Sequence, residues 1–320
     1  MDRSKIKSIQ IYNTLSLVGE SAWDVSAHGD GSVLAWLTKV QGRFMYHLYL
    51  AADGDIIANE NCEHLFSRYD KVECIEGLQY LNTENVINMS HMFDYCGSVQ
   101  EINVSGFDTK NVMDMSYMFY YCSSVQEINV SRFDTKNVTD MSHMFDFCEN
   151  VQEINVSGFD TGKVTKMHCM FFCCSSVQEI NVSGFDTRNV TDMGYMFYYC
   201  SSVQEINVSG FNTRNVTDMR YMFDHCFSVQ EINVSGFDTR EVRHMNHMFY
   251  GCRSVQEINV SGFDTRNVED MSHMFYDCIN VQELDLSNFD VRNAKHLGVL
   301  KNHLNEKQLL KILQKKDRRY

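Results

Sequence analysis

Twelve cysteines, twelve histidines and forty-two acidic residues among 320 supply many groups that could hold a metal or act as nucleophiles. The densest run of them is His168, Cys169, Cys173 and Cys174. A structural zinc site draws its ligands from two matched pairs, such as C-x-x-C with a second C-x-x-C or with two histidines. This run offers no such pairing, and Cys174 belongs to a column that recurs along the chain, so neither metal nor cofactor is expected. Trp23, Asp24, His28 and Asp30 are close in sequence, as an acid–base group would be, but they read as a capping loop. Thr109, Thr135, Thr187 and Thr213 recur in register like the threonines of ice-binding surfaces, although flanking Asp and Lys/Arg make such a surface charged and uneven. G-x-S-x-G, H-E-x-x-H, P-loop and G-x-G-x-x-G motifs are absent, and no isolated His, Ser or acid pair breaks the pattern as a grafted active site would. The expectation is a protein that is not an enzyme, with no catalytic residues.

The pattern itself is a tandem repeat. Cys96, Cys122, Cys148, Cys174, Cys200, Cys226, Cys252 and Cys278 fall once every 26 residues, each among the same apolar neighbours. That regularity reads as a stacked column of small buried side chains rather than as disulfides. A representative unit is Phe107–Arg132, FDTKNVMDMSYMFYYCSSVQEINVSR. Within it Val125, Ile128 and Val130 sit as the inward residues of a short strand. Val112, Met115, Met118, Phe119 and Cys122 are spaced by three, three, one and three, the stripe of a short helix. Asn111 followed by Asp114 resembles a helix N-cap with a carboxylate in the first turn. Gly162, Lys163 and Lys166 in one unit, and Glu241 with His244 in another, replace that cap and predict frayed helices there. Sixteen of the nineteen methionines occupy the two columns of Met115 and Met118, which marks them as core.

Nine apolar columns cannot be buried by one coil alone, so neighbouring coils must stack and the ends must be capped. The fold expected is α/β: a leucine-rich-repeat-like solenoid with one short parallel strand and one short helix per 26-residue coil. Residues 1–80 form an N-terminal cap with a β-hairpin (SVLAWLT, RFMYHLYLAA, an Asp53-Gly54 turn) and a degenerate first repeat one residue longer than the others. Residues 81–293 are the eight-repeat solenoid, and 294–320 a C-terminal helical cap with a basic tail. The order V-x-x-I-x-V-x-x-F resembles the leucine-rich-repeat core. The whole unit, F-D-T-x-N-V-x-D-M-x-x-M-F-x-x-C-x-x-V-Q-E-I-N-V-S, resembles the 26-residue repeat of the BspA-like family. That resemblance implies adhesion or protein binding at a bacterial cell surface.

The formal charge is −14, with eight Lys/Arg against Glu306 and Asp317 after residue 294, so the body is acidic and the tail basic. An acidic body repels nucleic acid, and no apolar run is long enough to span a membrane. With no signal peptide or anchor in it, the sequence as it stands reads as cytoplasmic, the bacterial surface being the alternative implied by the resemblance. Two surfaces are the candidates for binding a protein with a basic patch. On the strand side Glu101, Glu127, Glu153, Glu179, Glu205, Glu231, Glu257 and Glu283 form a ladder, accompanied by Asn129, Asn155 and Asn181. Its mutual repulsion is offset by Gln and Asn ladders, by the Lys110-type column, by cations or by the partner. On the helix side His91, Tyr117, Tyr121, His143, Tyr195, Tyr199, Tyr221, His247 and His273 vary from coil to coil; they grip a partner or are partly buried between coils. Self-assembly, with the basic tail of one copy meeting the acidic body of another, is the alternative function.

Overall fold

Each coil carries several Asp/Asn-x-Ser/Thr/Lys/Arg triplets, and these set the local geometry in the computed structural model, which describes residues 2–282 and 284–295. Asn129 Oδ1 accepts the Ser131 N–H (3.2 Å), Asp134 Oδ1 that of Lys136 (3.3 Å), and Asp140 Oδ1 that of Ser142 (3.0 Å). A short acceptor side chain that bonds the backbone two residues on folds the chain into a turn in place of a helix or strand. With up to three such turns per coil, parallel pairing between the repeating coils is confined to the Glu-Ile dipeptides and to single bridges through the Asp114 column.

No α-helix occurs among the described residues, which overturns the expected α/β class, a leucine-rich-repeat-like solenoid with a helix in each coil. In Met115–Cys122 turn bonds run from the Met118 N–H to the Met115 carbonyl, from Tyr120 to Tyr117 and from Cys122 to Phe119. The intervening amides leave the coil: Met115, Tyr117, Phe119 and Tyr121 donate to the carbonyls of Asp140, Ser142, Met144 and Asp146 in the next. A helix would return those bonds to the residue four back in the same coil. It is blocked at Tyr117 (φ 58°) and Tyr121 (φ 60°), and at their equivalents in every coil, which lie in the left-handed region. Seventeen described non-glycine residues share this conformation, at a cost of roughly 1–2 kcal/mol each, offset by the inter-coil bonds it permits.

The helix-cap reading of the Asn111 column falls with the helix. Asn111 Nδ2 donates to the Glu84 carbonyl in the preceding coil (2.8 Å), and Asn137, Asn189, Asn215 and Asn267 repeat the bond. The two coils expected to fray stack like the rest. Lys166 bridges Asp140 and Asp192, and its ammonium bonds Asp140 at 2.8 Å; His244 bridges Asp218 and Asp270.

The expected strands are shorter than the sequence pattern suggests. Glu101–Ile102 pairs in parallel with Glu127–Ile128, and beyond them single parallel bridges join Glu127 to Glu153, Glu179 to Glu205 and Glu205 to Glu231. The Val125 turn before and the Asn129 turn after confine the pairing. All nine apolar columns are buried, the cysteine column included, and all twelve cysteines are free. Each column thiol donates to a phenylalanine carbonyl of the coil before, as Cys122 does to Phe93 (3.2 Å). The Phe93-to-Phe275 rings stack at 5.6–5.7 Å, a favourable offset separation.

The N-terminal residues build a mixed five-stranded sheet. Its strands are β1 (Ile6–Tyr12), β2 (Trp23–Asp24), β3 (Val33–Lys39), β4 (Tyr46–Ala52) and β5 (Cys74–Glu76), in the order β2-β3-β4-β1-β5. Strands β3 and β4 form a hairpin, but the Asp53-Gly54 turn closes none, since Ile56–Ile57 beyond it pairs in parallel with Leu81–Asn82. Strand β1, with Ile6, Ile9 and Ile11 buried, is an element the sequence reading did not assign. It lies parallel to β5 at the Glu-Ile position of the degenerate first coil, so it covers the stack's first edge. Asp24 and Asp30 hold loop amides of Ser26, Gly31 and Ser32, the capping loop expected. The proposed C-terminal helix falls on residues 294–320, of which 296–320 lie outside the described residues.

Candidate functional site

The strand side presents what its alternation dictates. Glu101, Glu127, Glu153, Glu179, Glu205, Glu231 and Glu257 are exposed, as are Asn129, Asn155 and Asn181; Glu283 lies outside the described residues. The basic column does not compensate this ladder. Lys110, Lys136, Arg188, Arg240 and Arg266 pair instead with the Asp two residues before them, at 2.5–2.8 Å; Arg214 of the same column follows Asn212 in place of an Asp, and its backbone N–H donates to the Asn212 side chain. Among the described residues no Glu of the ladder makes an ion pair. Between the last coils a groove of about 550 Å³ opens on this side, lined by Gln256, Glu257, Asn259, Gln282 and Asp285.

The varied aromatic column is half-buried and lies on the turn segment. His91 stacks on Tyr117 at 4.4 Å and Tyr117 on His143 at 4.2 Å. Cys169 interrupts the stack, which resumes from Tyr195 through Tyr221 and His247 to His273 at 4.4–5.0 Å. In the neighbouring column Tyr95, Tyr121 and Tyr199 are exposed, at 38–40%, whereas Phe147, Cys173, His225 and Asp277 are half-buried. Of the two readings left open by the sequence, packing between coils describes these rings better. The threonine column, read from sequence as a surface, is buried: Thr135 and Thr161 are each 1% exposed. Each hydroxyl donates to a carbonyl of the next coil, as Thr135 does to Asp160's, and those of Thr109, Thr161, Thr187, Thr213, Thr239 and Thr265 also accept the same residue's N–H, as Thr161 does from Asp186.

Sequence reasoning missed three buried carboxylates. Asp94, Asp146 and Asp224 stand where other coils carry Tyr or Phe, all of them half-buried; that exchange of an acid for an aromatic was the available signal. Each meets a histidine: Asp94 bonds His91 Nδ1 (3.0 Å), Asp146 bonds His143 Nδ1 (2.6 Å), and Asp224 contacts His225 Nδ1. Asp94 Oδ1 and Asp146 Oδ1 are buried without a hydrogen-bond partner. Burial pushes the Asp224 carboxyl up to about 8 and depresses His225 below the usual imidazole range.

A carboxyl with a raised folded pKa binds its proton more tightly in the native state, so its burial is tolerated at low pH and penalised as pH climbs through the shifted range. Asp224→Tyr, which installs the residue carried by Tyr198 and Tyr250, is therefore expected to gain stability over the parent between about pH 4 and 8. The gain should reach roughly 2–5 kcal/mol and be flat outside that window, as urea melts of both proteins across pH will measure.

Among the described residues, two groups bring metal-ligand atoms within 4.8 Å of one another: His64, His91 and Asp94; and His143, Asp146 and Cys169. Both join adjacent coils, since His91 and Cys169 occupy the columns of His64 and His143 one coil on.

No curated protein and no solved structure matches the chain. The model of one family matches residues 60–155, 122–231, 146–257 and 222–306, overlapping as a tandem repeat requires. Those matches jointly span residues 60–306, well over half of the chain. The chain belongs to the repeat family described as Mycoplasma protein of unknown function, DUF285.

Proposed function

We propose that the chain is a non-catalytic scaffold whose glutamate ladder docks a basic surface of another protein. The observation that carries this reading is the ladder's lack of compensation. Its carboxylates are exposed, in register, and without ion pairs among the described residues, while Lys110, Lys136, Arg188, Arg240 and Arg266 are engaged by their own coil's Asp. Neighbouring carboxylates on parallel strands about 4.8 Å apart repel by about 1 kcal/mol even in water, and a cationic partner relieves that repulsion along the whole stack. Acidic surface also disfavours nucleic acid. No described helix is long and apolar enough to cross a membrane. The finer reading, membership of the BspA-like group with adhesion at a bacterial cell surface, rests on the M-F-x-x-C…F-D-T-x-N-V grammar.

Affinity capture from the native host at low and high salt, with the parent and with Glu127→Lys, Glu153→Lys, Glu179→Lys and Glu205→Lys combined, tests the docking track. A saturable protein partner retained at low salt, and lost by at least about tenfold with salt or charge reversal, is expected. No saturable partner, or one indifferent to the reversal, contradicts it. Sedimentation of the chain alone separates the self-assembly alternative, which a monomer at high concentration and low salt excludes.

A further inference from the structure

We propose that His143, Asp146 and Cys169 form a zinc-class metal site joining two adjacent coils. Their ligand atoms already lie within 4.8 Å of one another, whereas donors of a tetrahedral zinc stand roughly 3.3–3.8 Å apart, so small side-chain rotations suffice. Imidazole, carboxylate and thiolate together suit zinc and its relatives; calcium and magnesium demand oxygen. Asp146 supplies the independent observation. It is 3% exposed, one oxygen engages His143 Nδ1, and the other is buried with no hydrogen-bond partner. A buried carboxylate oxygen left unpaired is costly, and a cation is the partner that removes the cost.

The departures from repeat grammar converge on the same place. Cys169 and Cys173 are the only cysteines of residues 81–293 outside the buried column, and His168 stands where neighbouring coils have Ser142 and Gly194. The His168 ring lies edge-on to His143 with centroids 4.8 Å apart, and its Nδ1 is buried without a hydrogen-bond partner, the Asp192 carboxylate standing 4.0 Å away. Three protein donors leave a fourth position to His168 or water. One thiolate and one carboxylate neutralise a divalent ion, so its burial leaves no net charge there. Burial otherwise holds the Cys169 thiol well above its ordinary range, so binding must displace its proton.

The test uses the full chain, reduced and metal-free, titrated with Co²⁺ and then Zn²⁺. One equivalent of cobalt is expected to give a near-ultraviolet thiolate charge-transfer band with intense visible bands of a tetrahedral ion, and zinc to erase both. The fold tolerates the ligand deletions because other coils carry the replacements: Cys169→Tyr matches Tyr117 and Tyr195, Asp146→Tyr matches Tyr120 and Tyr198, and His143→Tyr matches Tyr117. Each should weaken binding by more than about 100-fold with melting retained, and Cys169→Tyr should abolish the charge-transfer band. Cys173→Tyr should leave it intact. Binding at His64, His91 and Asp94 has no thiolate and gives no such band. A band that survives Cys169→Tyr or disappears in Cys173→Tyr overturns the assignment, as does cobalt uptake without thiolate coordination or without saturation. Should one replacement fail to melt cooperatively, the other two decide.

Discussion

Phe171→Ala is expected to destabilise the protein by about 3–5 kcal/mol and to split its unfolding into two steps. Phe171 is fully buried in the fourth coil, between Phe145 at 5.7 Å and Phe197 at 5.6 Å. Alanine there removes the ring and leaves a cavity that rigid coils on either side cannot close, because each is held in register by four inter-coil amide bonds on the turn segment. In a stack where each coil touches only its neighbours, stability is a sum of coil and interface terms. Weakening both interfaces of a central coil therefore uncouples the two halves. Calorimetry and urea melts should resolve two transitions where the parent shows fewer. A single transition shifted by less than about 1 kcal/mol would mean that the phenylalanine column is not the continuous core described.

Thr161→Val should cost about 2–4 kcal/mol although it alters volume hardly at all. The Thr161 hydroxyl donates to the Asp186 carbonyl at 3.1 Å and accepts the Asp186 N–H at 2.8 Å, within a site 1% exposed. Valine fills the space and strands both backbone groups of Asp186, each of which loses its partner away from water. Thr161→Ser, which keeps the hydroxyl and loses a methyl, should cost about 1 kcal/mol. The order of the two variants is the informative result: were serine the more damaging, the threonine column would act by packing rather than by joining coils.

The core was legible in the sequence because burial depends on residue type and register alone. Val, Met, Phe, Cys and Ile recur at fixed positions, and stacking identical coils buries each column whatever the local backbone does. The helix was not legible. A spacing of three, three, one and three from Val112 to Cys122 is met by a helix and also by successive turns that each close three residues on. What separates them is positive φ at Tyr117 and Tyr121, and aromatic residues give no hint of that conformation, in which Gly or Asn would be the usual sign. The available signs were Gly251, Asp277 and the histidines of the two columns, residue types enriched in that region, but Tyr, Phe and Cys hold the same positions in other coils. The Asp-x-Ser triplets carried the better signal. They were assigned to caps and charge rather than to the turns such residues favour.

The candidate sites divide along the same line. Strand-side exposure follows from alternation, so the Glu ladder was placed by sequence. Its lack of compensation was not, because Lys110 and Asp108 are two residues apart and only the turn between them brings their charges to 2.7 Å. The metal-ligand cluster was invisible along the chain, where Cys169 lies 26 residues from His143. Register alone makes them neighbours.

The central claim is that each coil is helix-free, with left-handed residues that send the amides of the turn segment to the next coil. Backbone φ at Tyr117 and Tyr121, measured by nuclear magnetic resonance couplings in the intact chain, tests it directly. The account predicts values near 58° and 60°. Values near −63°, those of an α-helix, would contradict it.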